Sequence, residues 1–348
     1  MKSGDEPGIM TCDAVQAVSG GIGGNSSSLA SSERAVSACV VCCSTPSMPH
    51  DVIHTVSKAL SPIALVHAIL LSETAEGSSG VDVVAVPHST KLSKIRRLTD
   101  LIEDDLVCIC DPDLIVNEEA CRLIFGRAAA EIRIGNDVVA FGIVEGIDDG
   151  TMLSRVIALD KWLSHRVLRR FLWDCGVGIT LPGQFLIVSA RLLSGLDPQV
   201  DSYLDDLYLG WIARTHGVQV HRVPVVVGEE EPRTTWSSLL TQRLRWMRGL
   251  ACLFGHLAAH PSAILLLMIH YLAYHGLPIL MFCAVISLAV VSPIGAVAVF
   301  LGLVLLLARL SGQSFRTSAT FVAVFPIVHC LVTLLWWIPI SRSYLARR

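Results

Sequence analysis

The chain has 348 residues, of which 52% are hydrophobic and only 16% are charged. Soluble globular proteins carry about 25% charged residues, so this composition excludes a wholly soluble globular protein. The net charge of −3 gives no case for a nucleic-acid partner. Charged residues are frequent up to Arg248 and nearly vanish between Pro261 and Leu307. This distribution predicts one soluble domain of roughly 200 residues followed by a membrane part.

The first 34 residues are rich in serine, glycine and alanine. They lack the charged start and apolar core of a signal peptide, so they are interpreted as a disordered tail.

Between residues 35 and 228, short apolar runs alternate with stretches of helical spacing. The runs predicted as strands are 36–43, 63–71, 81–86, 106–110, 138–144 and 185–188, and the predicted helices include 50–60 and 92–102. This alternation predicts an α/β fold with a mostly parallel sheet covered on both faces. Ligands bind beyond the carboxyl ends of strands in such sheets, and Asp111-Pro112-Asp113 directly follows one of them.

The chain contains 11 scattered cysteines. The spacing Cys39-x-x-Cys42 is interpreted as part of a buried strand and not as a metal or redox pair, because no second pair has ligand spacing. Reduced, buried thiols favour a cytosolic domain.

The segment 235–260 is amphipathic, and its arginines lie next to the first apolar segment. A basic amphipathic helix in this place predicts a position at the membrane interface, and a helix packed on the domain's own core is the alternative. The apolar segments 263–291, 294–307 and 320–340 predict two to three transmembrane helices. If all three crossed, Arg342, Arg347 and Arg348 would oppose the positive-inside tendency, so the number of spans stays open.

The resulting domain plan has four parts: a tail over 1–34, a catalytic domain over 35–234, the amphipathic helix over 235–261, and membrane helices over 262–342.

Asp111 and Asp113 are two carboxylates one residue apart at a strand end. Such a pair can hold a hard cation, and Mg²⁺ or Mn²⁺ would keep open positions for phosphate oxygens. A solvated acidic turn is the alternative.

A second acidic pair, Asp205-Asp206, precedes an apolar helix. One carboxylate can hold the local structure while the other reaches the reacting centre as a general base. A neighbouring like charge would raise the pKa of that base toward neutrality. A helix N-terminus preferring acidic residues is the simpler explanation.

The third motif reads Q-x-x-R-W, from Gln242 to Trp246. Arg245 can bind phosphate oxygens with both arms of its guanidinium group, and Gln242 offers both a donor and an acceptor. Trp246 offers a flat apolar wall for a sugar or lipid head. An interfacial anchor is the alternative, since Arg and Trp are both common there.

With these motifs in this order, residues 81–248 resemble the inverting, membrane-attached glycosyltransferases of the family-two type, in particular the ceramide glucosyltransferase-like branch. The stretches that resemble the branch's motifs are Lys91-Leu92-Ser93-Lys94-Ile95, Asp111-Pro112-Asp113, Gly183-Gln184-Phe185-Leu186 with Arg191, Asp205-Asp206-Leu207-Tyr208-Leu209, and Gln242 to Trp246.

The resemblance implies a GT-A fold, a nucleotide-sugar donor (UDP is the expected nucleotide), a divalent metal on Asp111 and Asp113, and Asp206 as general base. It also implies that Lys91, Asp111, Gln242, Arg245 and Trp246 bind the donor, with Asp205 and Gly183 in supporting positions. The acceptor would be a hydroxyl of a membrane lipid, ceramide-like or another polar lipid. The protein would be membrane-embedded, with its catalytic domain in the cytoplasm.

The chain departs from the family at the carboxylate that holds the nucleoside, for which Glu73 is the nearest candidate. A processive polysaccharide synthase also uses Q-x-x-R-W and is the alternative enzyme, although three candidate spans are few for a polymer channel. A catalytically inactive membrane scaffold with the same fold is the alternative that is not an enzyme.

Overall fold

The structure, a computed structural model, describes residues 35–43, 51–72, 81–86 and 90–337, with side chains up to residue 335. The strands are β1 (Ser37–Cys43), β2 (Leu65–Ser72), β3 (Asp82–Ala85), β4 (Leu106–Cys110), β5 (Leu114–Val116), β6 (Val138–Gly146), β7 (Phe185–Ser189) and β8 (Gln219–Glu230). The helices are α1 (Asp51–Leu60), α2 (Lys91–Arg97), α3 (Glu118–Arg133), α4 (Met152–Trp162), α5 (Arg169–Asp174), α6 (Ala190–Ser194), α7 (Asp205–Thr215), α8 (Trp236–His256), α9 (Pro261–Tyr271), α10 (Leu277–Val291), α11 (Pro293–Ser311) and α12 (Phe315–Trp337).

All eight strands form one sheet in the order β3-β2-β1-β4-β7-β6-β8-β5. Strands β1 to β4 run parallel to one another, as do β6 and β8, whereas β7 is antiparallel to both its neighbours and β5 to β8. The predicted α/β fold with a mostly parallel sheet is therefore confirmed. Asp111 and Asp113 lie in the turn that follows β4.

The six predicted strands appear within two residues of their expected ends, but β5 and β8 were missed. Strand β5 has only three residues, too few for a periodic pattern. Strand β8 contains Pro224, which cannot donate to a sheet. The register between β6 and β8 shifts between the pairs Phe141–Arg222 and Ile143–Val226, so the proline sits in an irregular stretch.

The helix predicted over 92–102 is also shorter in the structure. Helix α2 ends at Arg97 and continues as a single tight turn to Asp100.

Apolar side chains on the two faces of the sheet pack against different helices. Helices α1 and α3 cover one face. The other face packs against α2, α6, α7 and α8, and residues of α9 and α12 join this same core. Cys39 and Cys42 belong to opposite faces, so the Cys-x-x-Cys spacing does not bring these two thiols to one site.

Helix α8 begins with a capping box in which Thr235 and Ser238 bond each other's backbone N–H groups. Its apolar residues Leu239, Met247, Leu250 and Leu253 are buried within the protein. The apolar side of the helix thus packs on the domain's core.

Helix α7, which carries the second acidic pair, lies very close to the segment before β7. A Cβ atom on Gly210 would stand 1.9 Å from the carbonyl oxygen of Ile179. Any side chain at this position would push α7 away, so Gly210 sets where Asp205 and Asp206 stand.

Within the described residues, three helices are long and apolar enough to cross a membrane: Pro261–Val291, in which α9 and α10 are continuous, Pro293–Ser311 (α11) and Phe315–Leu335, most of α12. The first contains 31 residues, which span about 46 Å, whereas a bilayer core is about 30 Å thick. Its first turns are buried against the sheet domain through Ala263, Leu266 and Leu267.

The second helix is longer than the predicted segment 294–307. Pro293 occupies its first turn behind the Ser292 cap, and Gly312, with φ 71°, ends it in the left-handed conformation.

The predictions about the tail over 1–34, Glu73 and the three C-terminal arginines fall on residues outside the described ranges.

Candidate active site

One cavity of about 790 Å³ opens beside the carboxyl end of β4. All the predicted site residues line it, although they come from five separate parts of the chain: Lys91, Asp111, Asp113, Gly183, Asp205, Asp206, Gln242, Arg245 and Trp246.

The Asp111-x-Asp113 turn is held against the strands on both of its sides. The backbone N–H of Asp111 donates to the carbonyl of Gln184 over 2.9 Å. Leu114 is the register partner of Glu230 at the end of β8, which places Glu230 beside Asp113. Burial, Glu230 and Asp111 raise the pKa of Asp113 to about 6, against the lowering effect of Arg233.

The Asp-x-Asp turn fits a divalent cation. Asp111 and Asp113 offer hard carboxylate oxygens to the cavity. The raised pKa of Asp113 reflects burial first and then the negative charges of Glu230 and Asp111, which a cation would offset. Among the described residues, Asp111 and Asp113 do not belong to a group of three His, Cys, Asp or Glu side chains whose ligand atoms all lie within 4.8 Å of one another. A cation here would therefore keep positions for phosphate oxygens and water.

Glu230 is a cavity residue that the sequence analysis did not identify. It forms an ion pair with Lys161, and Gln184 Nε2 donates to its Oε2 over 2.9 Å. The acidic run Glu229-Glu230-Glu231 was visible in the sequence, but it could not be placed beside Asp113 without strand β8.

Lys91 connects the two acidic motifs. Its Nζ donates to Asp111 Oδ1 over 2.7 Å and to the carbonyl of Gly183, and it lies 3.5 Å from Asp205 Oδ2. Burial disfavours its charge, but Asp111 and Asp205 raise the pKa of Lys91 well above its usual value. In this geometry Lys91 holds Asp111, Gly183 and Asp205 together at the cavity wall.

The two adjacent carboxylates of the second motif occupy different environments. Asp205 is buried and paired with Lys91. Asp206 borders the cavity, and its Oδ1 accepts the backbone N–H of Leu207 over 2.8 Å. Burial and the charge of Asp205 raise the pKa of Asp206 to about 7, while Arg169 and Lys91 lower it. A carboxylate with such a pKa can accept a proton near neutral pH.

A buried arginine beside Asp206 was also missed from the sequence. The side chain of Arg169 borders the cavity, and its Nη1 donates to His165 Nδ1 over 3.0 Å. Burial lowers the pKa of His165 well below its usual value, which suits a neutral acceptor. In the sequence Arg169 is followed by Arg170, and residue type alone does not distinguish the buried arginine from the exposed one.

In the Q-x-x-R-W motif, Arg243, the first of the two unspecified positions, makes the buried polar contacts. Arg243 pairs with Asp160, and its guanidinium lies 4.4 Å from the ring centre of Trp246 and 5.5 Å from that of Phe325 in α12. Arg245 is exposed toward the cavity. One face of Trp246 is thus covered by Arg243, while the ring still borders the cavity beside Gln242 and Arg245.

The far part of the cavity is apolar and is formed by the three long apolar helices. The side chains from these helices that line it include Leu277, Met281, Phe282, Val285, Phe300, Leu303, Leu306, Leu307, Leu310, Phe321, Val322 and Phe325. The carboxylates and the apolar helices therefore share one continuous cavity.

The sequence was also compared with models of known protein families. Residues 107–340 match the family model described as glycosyl transferase family group 2. The chain belongs to this family. This family 2 glycosyltransferase combines an α/β sheet domain with three long apolar helices, which confirms the predicted GT-A domain followed by candidate membrane spans. A comparison with curated protein sequences found no match.

Solved structures with a similar backbone include a mycobacterial protein with a TM-score of 0.44 and 20% identity, over 64% of this chain and 76% of that one. Glucosyl-3-phosphoglycerate synthase from Mycobacterium tuberculosis, with Mn²⁺, UDP and glucosyl-3-phosphoglycerate, has a TM-score of 0.42 and 18% identity over 63% and 79%. The same enzyme with Mg²⁺ and UDP has a TM-score of 0.40 and 17% identity over 63% and 79%.

Proposed function

We propose that this glycosyltransferase moves a hexose or N-acetylhexosamine from a UDP-sugar to a hydroxyl of a membrane lipid, with inversion at the anomeric carbon. The lipid would be ceramide-like or another polar lipid, as in the ceramide glucosyltransferase-like branch. The supporting observation is the single cavity that runs from Asp111, Asp113 and Asp206 to the apolar helices. A soluble acceptor would have no use for this apolar half.

Asp206 is proposed as the general base. Its carboxylate takes the proton of the acceptor hydroxyl while the new bond from acceptor oxygen to anomeric carbon forms and the bond to the diphosphate oxygen breaks, releasing UDP. Lys91 and Asp205 hold the base at the cavity wall, on the helix that Gly210 places. Single displacement of this kind inverts the anomeric configuration.

The diphosphate would lie between the Asp-x-Asp turn and α8. Asp111 and Asp113 would hold Mg²⁺ or Mn²⁺, which when bound supplies positive charge that stabilises the departing diphosphate. Arg245 and Gln242 face the same space from α8, and Arg233 adds a cation beside Asp113. Arginine binds phosphate oxygens with planar, paired hydrogen bonds.

If the acceptor is a lipid, filling the apolar half of the cavity should raise KM for the lipid and leave binding of the UDP-sugar unchanged. Leu303→Trp would place a bulky ring in the cavity from α11. We expect KM for a ceramide or sterol acceptor to rise about tenfold, the equivalent of about 1.4 kcal/mol, with unchanged Kd for UDP-sugar. The measurement is UDP release in detergent with a panel of UDP-sugars, Mg²⁺ or Mn²⁺, and added lipid.

Leu305→Trp is the matched control, because Leu305 lies on the same helix, is 59% exposed and faces away from the cavity. Equal effects of both substitutions, or UDP release that does not depend on lipid, would contradict a lipid acceptor. Mass spectrometry should find one sugar per lipid, whereas a polymer would indicate the synthase. Proton NMR of the glycolipid should show a β-linkage from an α-linked donor.

The proposed base also predicts the pH dependence of the reaction. A base works in its deprotonated form, so kcat/KM should rise with pH and level off above a pKa of about 7, the value to which burial and Asp205 raise Asp206. An ordinary aspartate would give a level rate from about pH 5 upward. A flat profile between pH 5 and 8 would exclude Asp206 as the base.

We also propose the domain plan of a catalytic domain over 35–234, an amphipathic helix over 235–261 that carries Q-x-x-R-W, and membrane helices over 262–342, with the catalytic domain in the cytoplasm. The described cysteines are free thiols, which suits a reducing compartment. Labelling of the exposed Cys175 with a membrane-impermeant maleimide, before and after permeabilisation of cells, tests this orientation.

A further inference from the structure

Three side chains of metal-binding type converge near the amino ends of the parallel strands, whereas the candidate active site lies at their carboxyl ends. They are Cys39 of β1, His67 of β2 and Asp104, just before β4. Cys39 and His67 are register partners on adjacent parallel strands, so both side chains point to the same face. Asp104 and Asp111 flank the two ends of β4, about 20 Å apart at the rise of an extended strand.

We propose that Cys39, His67 and Asp104 form a Zn²⁺ site. Their ligand atoms lie within 4.8 Å of one another, and His67 Nδ1 lies 3.6 Å from Asp104 Oδ2. Ligand atoms around tetrahedral Zn²⁺ are roughly 3.3–3.7 Å apart, given bonds of about 2.0–2.3 Å. A thiolate, an imidazole and a carboxylate together suit Zn²⁺, whereas Mg²⁺ prefers oxygen ligands alone.

The surroundings of His67 favour the required tautomer. Its Nε2 lies 2.8 Å from Asp82 Oδ2 on β3, so Nε2–H can donate to that carboxylate. The acceptor nitrogen is then Nδ1, which faces Asp104 and is available to a metal. A carboxylate that bonds the far nitrogen of a metal-binding histidine is a recurring feature of zinc sites.

The site would be structural. It would tie β1 and β2 to the start of β4, with β3 attached through Asp82, and Zn²⁺ binding would displace the thiol proton of Cys39 to water. The side chain of His67 is 41% exposed, so water can supply the fourth ligand. The site lies at the other end of β4 from Asp111, away from the proposed transfer reaction, so the two proposals can fail independently.

The experiment uses the full chain in detergent, in an Asp113→Asn background that weakens the other candidate cation site. After chelator treatment and reloading with Zn²⁺, we expect one Zn²⁺ per chain by elemental analysis after gel filtration. We expect a rise in Tm of about 5 °C at a hundredfold excess over Kd. Loading with Co²⁺ should give the near-ultraviolet band of a thiolate ligand.

Cys39→Ser and His67→Asn should both remove the bound Zn²⁺, the rise in Tm and the Co²⁺ band. Cys42→Ser is the matched control, because Cys42 is a buried thiol on the same strand and the opposite face, and it should keep all three. His67 lies at the surface, so its variant keeps the test valid should Cys39→Ser fold poorly. The proposal is wrong if the original chain binds no Zn²⁺, or if His67→Asn retains it with an unchanged thiolate band.

Discussion

Asp206→Asn is expected to lower kcat for glycosyl transfer by at least about a hundredfold, since general base catalysis contributes about 10²–10⁴-fold. Asparagine keeps the size of the side chain and cannot accept the hydroxyl proton. Asp206 lies on the cavity wall, and the residues proposed to hold the diphosphate are on other elements. Donor binding, measured by calorimetry with UDP-sugar and metal, should therefore change little.

Asp205→Asn is the informative comparison, because it makes the same chemical change one residue away. Asp205 is paired with Lys91 and its charge raises the pKa of Asp206. Its loss should move the acidic limb of the pH–rate profile to lower pH and leave a measurable rate at neutral pH. Turnover near that of the original enzyme in Asp206→Asn would refute the assignment of the base.

Lys91→Met is expected to destabilise the protein by about 3–5 kcal/mol, the usual cost of removing one partner of a buried ion pair. The substitution leaves Asp111 and Asp205 facing each other without the ammonium group that now lies between them. It should also raise the pKa of Asp206, because Lys91 lowers that pKa in the intact site. Urea unfolding of the detergent-solubilised protein and the pH–rate profile are the two measurements.

The control for this prediction is Lys58→Met. Lys58 also pairs with a carboxylate, Glu118 at 3.2 Å, but its side chain is 77% exposed. Exposed pairs contribute about 0–1 kcal/mol, so this variant should unfold almost as the original protein does and keep its pH profile. A Lys91 variant with ordinary stability and an unshifted acidic limb would show that Lys91 does not organise the two carboxylates.

Much of the fold follows from local pattern. Among the strands that the sequence predicted, β1, β4 and β7 are continuous apolar runs whose side chains are buried on both faces of the sheet, and the apolar pattern reflects this burial. Strand β8 lacked such a pattern, because its residues are only partly buried and Pro224 interrupts it. Without β8, nothing in the sequence connected Glu230 with Asp113.

The site residues could be predicted for a related reason. Asp111 and Asp113 follow a strand, Asp205 and Asp206 begin a helix, and Gln242 to Trp246 occupy one helix, so each motif is local. The contacts between the motifs are not local. The role of Lys91 as a bridge, the covering of Trp246 by Arg243 and the position of Arg169 beside Asp206 each join residues that are close only in the folded chain.

The sequence by itself determined the sheet domain, the apolar helices and the residues able to do acid–base, metal and phosphate chemistry, because periodicity and residue type are properties of neighbouring positions. Only the tertiary structure decided that the carboxylates and the apolar helices open into one cavity. It also decided that Cys39, His67 and Asp104 meet near the amino ends of the parallel strands. Both outcomes depend on which strands and helices become neighbours, and that choice is made by packing across the whole chain.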